Sequence, residues 1–454
     1  MTISASLRRG PAGVNRCAER PARRPGICLS RAGAAVVIVW VAIAWPAGGA
    51  GNTGEWGGGR WRLGATLRVL MSSWGWRTHF YCLVAMGWAL QAAGHEVRVA
   101  SHPSMTDAIT SAGLAAVPVG EDHDFARMLG GKIGRVRPLH HDGPGEIEPS
   151  ITADGGTFIC ARAMVDDLVA FGRQWQPHLV IWDPINLAGA VAACVLKVPG
   201  VFHRWGPDQL AVLRLNRDEV FGPLVERYGL SPQDVDPNGS LVLDPAPPPM
   251  QVPQARPGQP VRFVPYNGQA IVPDWLAEPP RRPRVCVTAG SMMATVGFAS
   301  ALDLSAITRA VAELDVEVVV AAHPGDAARL GAVPDNVRVA QAPLAHRLVL
   351  PTCAAFVHQG GGSTTMTGIA SGVPQLILPQ VSDQHLNAER VAVTGAGTWV
   401  DPADASAADI RDMTGALVHE GGWRASAATM RERVLQMPSP ADVVPVLAGL
   451  ADGA

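Results

Sequence analysis

The amino-acid sequence predicts an α/β protein of two doubly wound halves, each a parallel sheet with helices on both faces. Three observations carry this. Short apolar runs of strand length alternate with helix-length segments from Leu67 onward. A proline-dense stretch, residues 241–283, then breaks the alternation with "PAPPP" and "PPRRP". The alternation restarts at "RVCVTAGS" (284–291) and continues through the second half. A chain of 454 residues suits two or three domains with a sizeable core. The expected organisation is an N-terminal extension (1–66), a first domain (67–240), a linker (241–283) and a second domain (284–454).

The extension reads unlike the rest. Residues 6–31 are arginine-rich, and Ala32–Ala50 is apolar and ends in small residues. This is the charge-then-apolar order of a secretory signal or an anchor. The apolar core is shorter than the ~20 residues that span a bilayer comfortably. "GNTGEWGGGRWRLGA" (51–65) has neither helical nor strand period. Residues 1–66 are therefore expected to be disordered or signal-like, with folding starting near Leu67.

In the first half, "LRVLMSS" (67–73) reads as a strand. "HFYCLVAMGWALQAAG" follows with apolar residues at helical spacing and a stop at Gly94. "HEVRVAS" (95–101), "MTDAITSAG" and "LAAVPV" continue as strand, helix and strand. After 120–155, which lack a clear pattern, come a helix near 158–174, the strand "HLVIWD" (178–183) and the helix "NLAGAVAACVL". The second half adds the strands "VEVVVAA", "VRVAQ", "AAFVHQ" and "PQLILP". Continuous apolar strands between helices imply parallel sheets covered on both faces.

In such sheets ligands bind beyond the carboxyl ends of the strands. "FVHQGGGSTTMTGIASGVPQ" (356–375) occupies that position as strand, glycine turn and helix. Glycines let the backbone approach a ligand, and the first helical N–H groups form an anion site. His358, Ser363 and Thr364 add side-chain donors, so a diphosphate fits the whole set. The net charge of −2 offers no basic face for nucleic acid. Seven cysteines (17, 28, 82, 160, 194, 286, 353) lack zinc or redox spacing and read as reduced thiols of a cytoplasmic protein.

"HQGGGSTTMTGIASGVPQLILPQVSDQHLNAERV" resembles the donor-binding signature of family 1 glycosyltransferases with the GT-B fold. Its usual form there is His-His-Gly-Gly-x-Gly-Thr, then Gly-Val-Pro-Gln and Asp-Gln. The likeness is closest to bacterial enzymes that glycosylate macrolide or aromatic polyketide antibiotics. It extends over "LRVLMSSWGWRTHFYCLVAMGWALQAAGHEVRVAS", "WDPINLAGAVAA" and "APLAHRLVLPTCAAFVH", about residues 67–454. The resemblance implies two Rossmann-like domains facing each other across a cleft, the first for the acceptor and the second for the nucleotide sugar. It implies His79 as catalytic base. His358, Gly360, Gly361, Gly362, Ser363, Thr364, Gly290 and Ser291 would hold the donor diphosphate. Asp383 and Gln384 would hold the donor sugar, and Gln341 and Met366 would face the nucleoside. Trp74, Trp76 and Phe80 would line the acceptor pocket. Should His79 not be the base, Asp183 in "WDP" is the next candidate.

Two departures qualify the pattern. Gln341 stands where relatives often place an aromatic for the base. Met366 stands where relatives that bind a ribose 2′-hydroxyl carry a glutamate, and a thioether accepts such a bond poorly. The pattern therefore favours a dTDP-sugar over a UDP-sugar. The Asp-x-Asp matches in "EDHDF" (121–125) and "QDVDP" (233–237), and the pair His140-His141, lack convincing metal-site context. No metal and no cofactor are expected, the nucleotide sugar being a co-substrate. An esterase reading fails because no serine sits in a Gly-x-Ser-x-Gly elbow. The alternative is a non-catalytic helper or sugar-nucleotide-binding protein of the same fold. Partners implied by the resemblance are the donor, an apolar aglycone and, for some relatives, a cytochrome-P450-like helper protein. A homodimer is compatible with it.

Overall fold

The computed structural model describes residues 55–56, 59–60, 66–124, 156–212, 215–291, 302–341, 344–380 and 382–453. The chain divides into two units, 1–62 and 63–454. In the first, Glu55–Trp56 pairs antiparallel with Gly59–Arg60. The signal-like segment 6–50 and the pair His140-His141 lie outside the described residues.

The N-terminal half of the second unit is a seven-stranded parallel sheet. Its strands are β1 (Arg68–Ser72), β2 (Glu96–Ser101), β3 (Ala115–Pro118), β4 (Leu179–Trp182), β5 (Gly200–His203), β6 (Leu241–Asp244) and β7 (Gln259–Pro260). They run in the order β3-β2-β1-β4-β5-β6-β7. Among the described residues, it is covered by α1 (Arg77–Ala92), α2 (Thr106–Ser111), α3 (Gly156–Trp175), α4 (Leu187–Leu196) and α5 (Arg217–Val225). Alternate strand residues feed two cores. Leu70, Val180 and Phe202 pack with α3, α4 and α5, whereas Val69, Met71 and Ile181 pack with α1 and α2.

The C-terminal half repeats the design with six parallel strands. They are β8 (Arg284–Thr288), β9 (Glu317–Ala322), β10 (Val337–Gln341), β11 (Ala355–His358), β12 (Gln375–Ile377) and β13 (Gly397–Trp399). The order is β10-β9-β8-β11-β12-β13. Its helices are α6 (Leu304–Ala312), α7 (Pro324–Arg329), α8 (His346–Val349), α9 (Gly362–Ser371), α10 (Ser382–Thr394), α11 (Ala407–His419) and α12 (Gly421–Gln436). In both sheets the strand order reverses direction between the first strand and its neighbour, β1/β4 and β8/β11. Such switch points open a crevice at the carboxyl ends of the strands.

The expected domain boundaries change in two places. The proline-rich linker is not a bare strap, because Leu241–Asp244 and Gln259–Pro260 extend the first sheet as β6 and β7. Proline is tolerated there because β7 lies at the sheet edge. The C-terminal helix α13 (Pro440–Asp452) leaves its own half and packs on the other. Val443, Val444 and Leu447 are buried among Phe80, Leu83 and Val84 of α1. Among the described residues no single helix is long and apolar enough to cross a membrane. The bent pair α12 and α13 passes by length and composition alone.

Candidate active site

Two strand-to-helix junctions meet at the cleft. In the N-terminal half, β1 and β4 end in register, with Ser72 paired to Trp182. The loops that follow therefore lie side by side. Asp183, 1 % exposed, accepts the Trp74 backbone N–H at 2.7 Å through one carboxylate oxygen. Its other oxygen lies 3.3 Å from His79 Nδ1. Ser101 Oγ donates to the Ser73 carbonyl at 2.8 Å and Asn186 Nδ2 to Ser72 Oγ at 2.8 Å, which fixes the junction. His79 stands in the first turn of α1, between the rings of Trp74 and Trp205 at centroid distances of 5.0 and 4.4 Å.

In the C-terminal half, β11 delivers His358 to a glycine turn. Gly360 has φ +89°, and a β-carbon there would stand 2.7 Å from Ile377 Cγ2 and 3.0 Å from the Gln384 carbonyl. Only glycine fits that conformation and that space together. Asn387 Nδ2 donates to the Gly360 carbonyl at 2.8 Å, pinning the turn from α10. Gly361 is the N-cap of α9 and supplies no side-chain cap. The first N–H groups of the helix thus point into the cleft beside the hydroxyls of Ser363 and Thr364, an arrangement suited to an anion.

The halves touch through named side chains. A β-carbon on Gly362 would meet Trp205 Cδ1 at 2.7 Å, so the indole of the N-terminal half lies against the donor turn. Ser363 lies within hydrogen-bond reach of Cys82 on α1, whose thiol burial pushes up to about 12. Asp383, in the first turn of α10, lies within electrostatic reach of His79. Burial pushes the Asp383 carboxyl up to about 6, against the opposing pull of His79 and of the Asp383 and Gln384 N–H groups. Gln384 turns back to accept the Gln380 N–H through Oε1 at 2.7 Å.

Several expected roles change on this geometry. His358 is buried with both ring nitrogens engaged: Nε2 lies 2.7 Å from Gln375 Oε1, and Nδ1 accepts the Gly360 N–H at 3.0 Å. Burial, only partly opposed by the Gln375 bond, holds its pKa down to about 3, so the ring is neutral. It shapes the turn and, in this arrangement, has no ring N–H left to give an anion. Phe80 belongs to the core against the sheet rather than to an acceptor wall, because helical spacing sets it in line with Leu83 and Val84. Met366 is fully buried in an apolar cluster with Met250, Phe263 and Ile369, and its side chain lies against Gly206. Trp76 caps α1 and is half-buried. Gln341 is the last residue of β10. Gly290, with φ +75°, and the exposed Ser291 follow β8 beside the glycine turn. The carboxylates of "QDVDP" are spent locally, Asp234 on Ser231 and Asp236 on Arg256.

Sequence reasoning gives no role to three residues that the fold brings in, Trp205, Asn387 and Gln359, and a different role to Asp183. Asp183 was read only as a substitute base, yet it holds His79. Trp205 carries no motif, and Asn387 lies within the signature, but only the tertiary fold shows what either one touches. Gln359 stands in the signature where the family's second histidine is usual; its amide fills the space between Gly290 and Gly361.

Residues 88–290 match the family model "Erythromycin biosynthesis protein CIII-like, N-terminal domain", and 305–450 match its C-terminal counterpart. Aklavinone 7-beta-L-rhodosaminyltransferase of Streptomyces galilaeus is 39 % identical, the match covering 84 % of this chain and 95 % of that one. 10-Deoxymethynolide desosaminyltransferase of Streptomyces venezuelae is 37 % identical, covering 85 % and 97 %. Among solved structures, the glycosyltransferase VinC in complex with dTDP superposes with a TM-score of 0.72 at 34 % identity, covering 86 % of this chain and all of that one. With the paired switch-point crevices described above, these matches place the chain in the erythromycin biosynthesis protein CIII-like family of GT-B antibiotic glycosyltransferases.

Proposed function

We propose that the chain transfers a deoxysugar from a dTDP-linked donor to a hydroxyl of a hydrophobic natural-product aglycone, inverting the anomeric centre in one displacement. The observation that carries this is the convergence of the His79–Asp183 pair with Asp383 and the N-terminus of α9. Asp183 accepts a hydrogen bond from His79 Nδ1, which leaves Nε2 as the proton acceptor. The acceptor oxygen bonds to the anomeric carbon as its proton passes to Nε2. The bond from that carbon to the donor phosphate breaks, and its electron pair goes to the leaving diphosphate. That charge meets the first N–H groups of α9 and the hydroxyls of Ser363 and Thr364. Asp383 and Gln384 hold the sugar hydroxyls, and Trp74 and Trp205 flank the His79 ring. The reading assigns no metal or cofactor to the transfer itself.

Relatives support the chemistry class: two are named for glycosyl transfer to 10-deoxymethynolide and to aklavinone, and VinC holds dTDP. We place the activity in the cytoplasm, since all five described cysteines are free thiols. The test incubates the full chain with dTDP- and UDP-sugars and a panel of macrolactone and aromatic polyketide aglycones, with products read by mass spectrometry. A glycoside formed from a dTDP-sugar is expected. Donor binding with no glycoside from any aglycone would favour a helper role.

A further inference from the structure

A cluster in the acceptor half has the chemistry of a second site. β2 ends at Ser101, and the next residue, His102, is 1 % exposed with neither ring nitrogen hydrogen-bonded. Buried polar atoms without partners are uncommon and point to something missing from their surroundings. Two further ligand-type side chains converge on it. His123 comes from "EDHDF", the segment just after β3, and its Nε2 is also buried without a partner. Cys160 lies in α3 and is fully buried. One ligand atom from each of the three lies within 4.8 Å of the others.

The surrounding structure makes room for this arrangement. A β-carbon on Gly75 would stand 2.8 Å from His102 Nδ1, so glycine at that position admits the ring. The Ser104 N–H donates to Asp122 Oδ1 at 2.9 Å, anchoring the residue beside His123. The two histidine rings meet edge to face at 5.5 Å rather than sharing a hydrogen bond. Burial pulls His102 down to about 4, with His123 adding to the shift and Asp122 opposing it. The ring is therefore neutral, the form that ligates a metal. Burial pushes the Cys160 thiol up to about 12, with the Trp74 indole opposing it.

We propose that His102, His123 and Cys160 bind one zinc-class divalent cation, with a fourth position open to water. Neutral imidazoles with a thiolate select zinc or cobalt over magnesium or calcium. On binding, the Cys160 S–H gives its proton to solvent and the sulfur pair forms the S–metal bond. The cation's charge offsets the burial that otherwise keeps the thiol protonated. Tetrahedral bonds of about 2.0–2.3 Å set ligand atoms roughly 3.3–3.8 Å apart, so the cluster closes by about 1 Å on binding. His123 lies in a loop and supplies that adjustment. The Trp74 indole acts on the Cys160 thiol and its ring packs 5.0 Å from His79, so the cation would steady the junction that carries the proposed base.

The test strips the full chain with a chelator, then titrates it with Co(II), Zn(II) and Mg(II) in turn. One equivalent of Co(II) should bind with a thiolate-to-cobalt charge-transfer band, and Zn(II) should displace it. Zn(II) should raise the melting temperature and Mg(II) should not. Cys160→Ser should abolish the band, and His102→Ala should weaken Co(II) binding at least tenfold. Cys194→Ser and the double variant Cys17→Ser/Cys28→Ser should keep it. A wild-type chain with no band at stoichiometric Co(II) overturns the proposal, as does a band that survives Cys160→Ser. Should Cys160→Ser fold poorly, loss of the band in the double variant would equally overturn it by moving the thiolate to the N-terminal extension.

Discussion

The junctions β1–α1 and β11–α9 are built on the same plan and, in the proposed reaction, do opposite kinds of chemistry. Each leaves the carboxyl end of a strand at a switch point and enters a helix facing the cleft. The first is aromatic, its backbone is held by the side chains of Asp183 and Ser101, and it offers a side chain, His79. The second is glycine-rich, is held by His358 and Asn387, and offers backbone N–H groups. The difference follows from the task. A proton acceptor must be one polarised atom at a fixed point, which a buried carboxylate and a ring provide. A spreading phosphate charge is met better by several preorganised dipoles, which need close backbone approach and no β-carbons.

The comparison breaks most visibly at the base. His79→Ala should cut turnover by about 10²–10⁴ while leaving donor affinity nearly intact, since general-base catalysis has that worth. Asp183→Asn should keep the geometry and still lose turnover, because the ring is no longer held in the tautomer that frees Nε2. Single-turnover rates with calorimetric titration of the donor separate the two quantities. An equal loss of donor affinity in His79→Ala would mean that the two junctions do not divide the work as proposed.

Asp383 sharpens the division from the other side. Its carboxyl is raised to about 6, so it loses its negative charge as pH falls through that region. Hydrogen bonds from sugar hydroxyls to a charged acceptor contribute about 1.5–3 kcal/mol. Affinity for the intact nucleotide sugar should therefore weaken as pH drops from 7 to about 5, while affinity for the methyl ester of the nucleotide diphosphate, which has neither the sugar nor a terminal phosphate that titrates there, changes less. Asp383→Asn should flatten the difference. Parallel pH curves for the two ligands would remove Asp383 from the sugar site.

The glycine turn gives a smaller and more structural effect. Gly360→Ala puts a β-carbon against Ile377 and the Gln384 carbonyl at φ +89°. Such strain costs about 1–3 kcal/mol. Melting temperature and diphosphate affinity should fall together, with the His79-dependent chemistry slowed only in proportion. A variant with unchanged stability and affinity would show that the turn relaxes freely.

Much of this was legible in the sequence because parallel strands buried on both faces read as unbroken apolar runs. Every strand named in advance forms, and the glycine turn with its helix was plain from composition. Contacts between distant segments were not legible. Asp183 meets His79 only because β1 and β4 pair in register. Trp205 meets Gly362 only because the halves face each other. The linker misled because proline density signals extension but does not reveal pairing at a sheet edge. Phe80 misled because nearness to His79 in sequence says nothing of which helical face is buried.

The smallest effect is expected at Met366, whose proposed place beside the nucleoside the choice of pentose tests. Met366 is fully buried beside Gly206, so no acceptor stands at that position for a 2′-hydroxyl. A UDP ribose whose 2′-hydroxyl forgoes a hydrogen bond there loses about 0.5–1.5 kcal/mol. Thymidine diphosphate, whose pentose lacks it, avoids the loss. The expected outcome is tighter binding of dTDP than UDP by roughly 2- to 10-fold, seen as the larger rise in melting temperature at equal concentration. Met366→Glu should lower the melting temperature without ligand, because it buries a carboxylate in an apolar cluster. The informative quantity is therefore the difference between the two ligand-induced shifts within each protein, which cancels that cost. In Met366→Glu the difference should narrow or reverse, since a carboxylate accepts the 2′-hydroxyl bond. Should wild type prefer UDP, discrimination must lie with the base, and residues at the end of β10 would become the place to look.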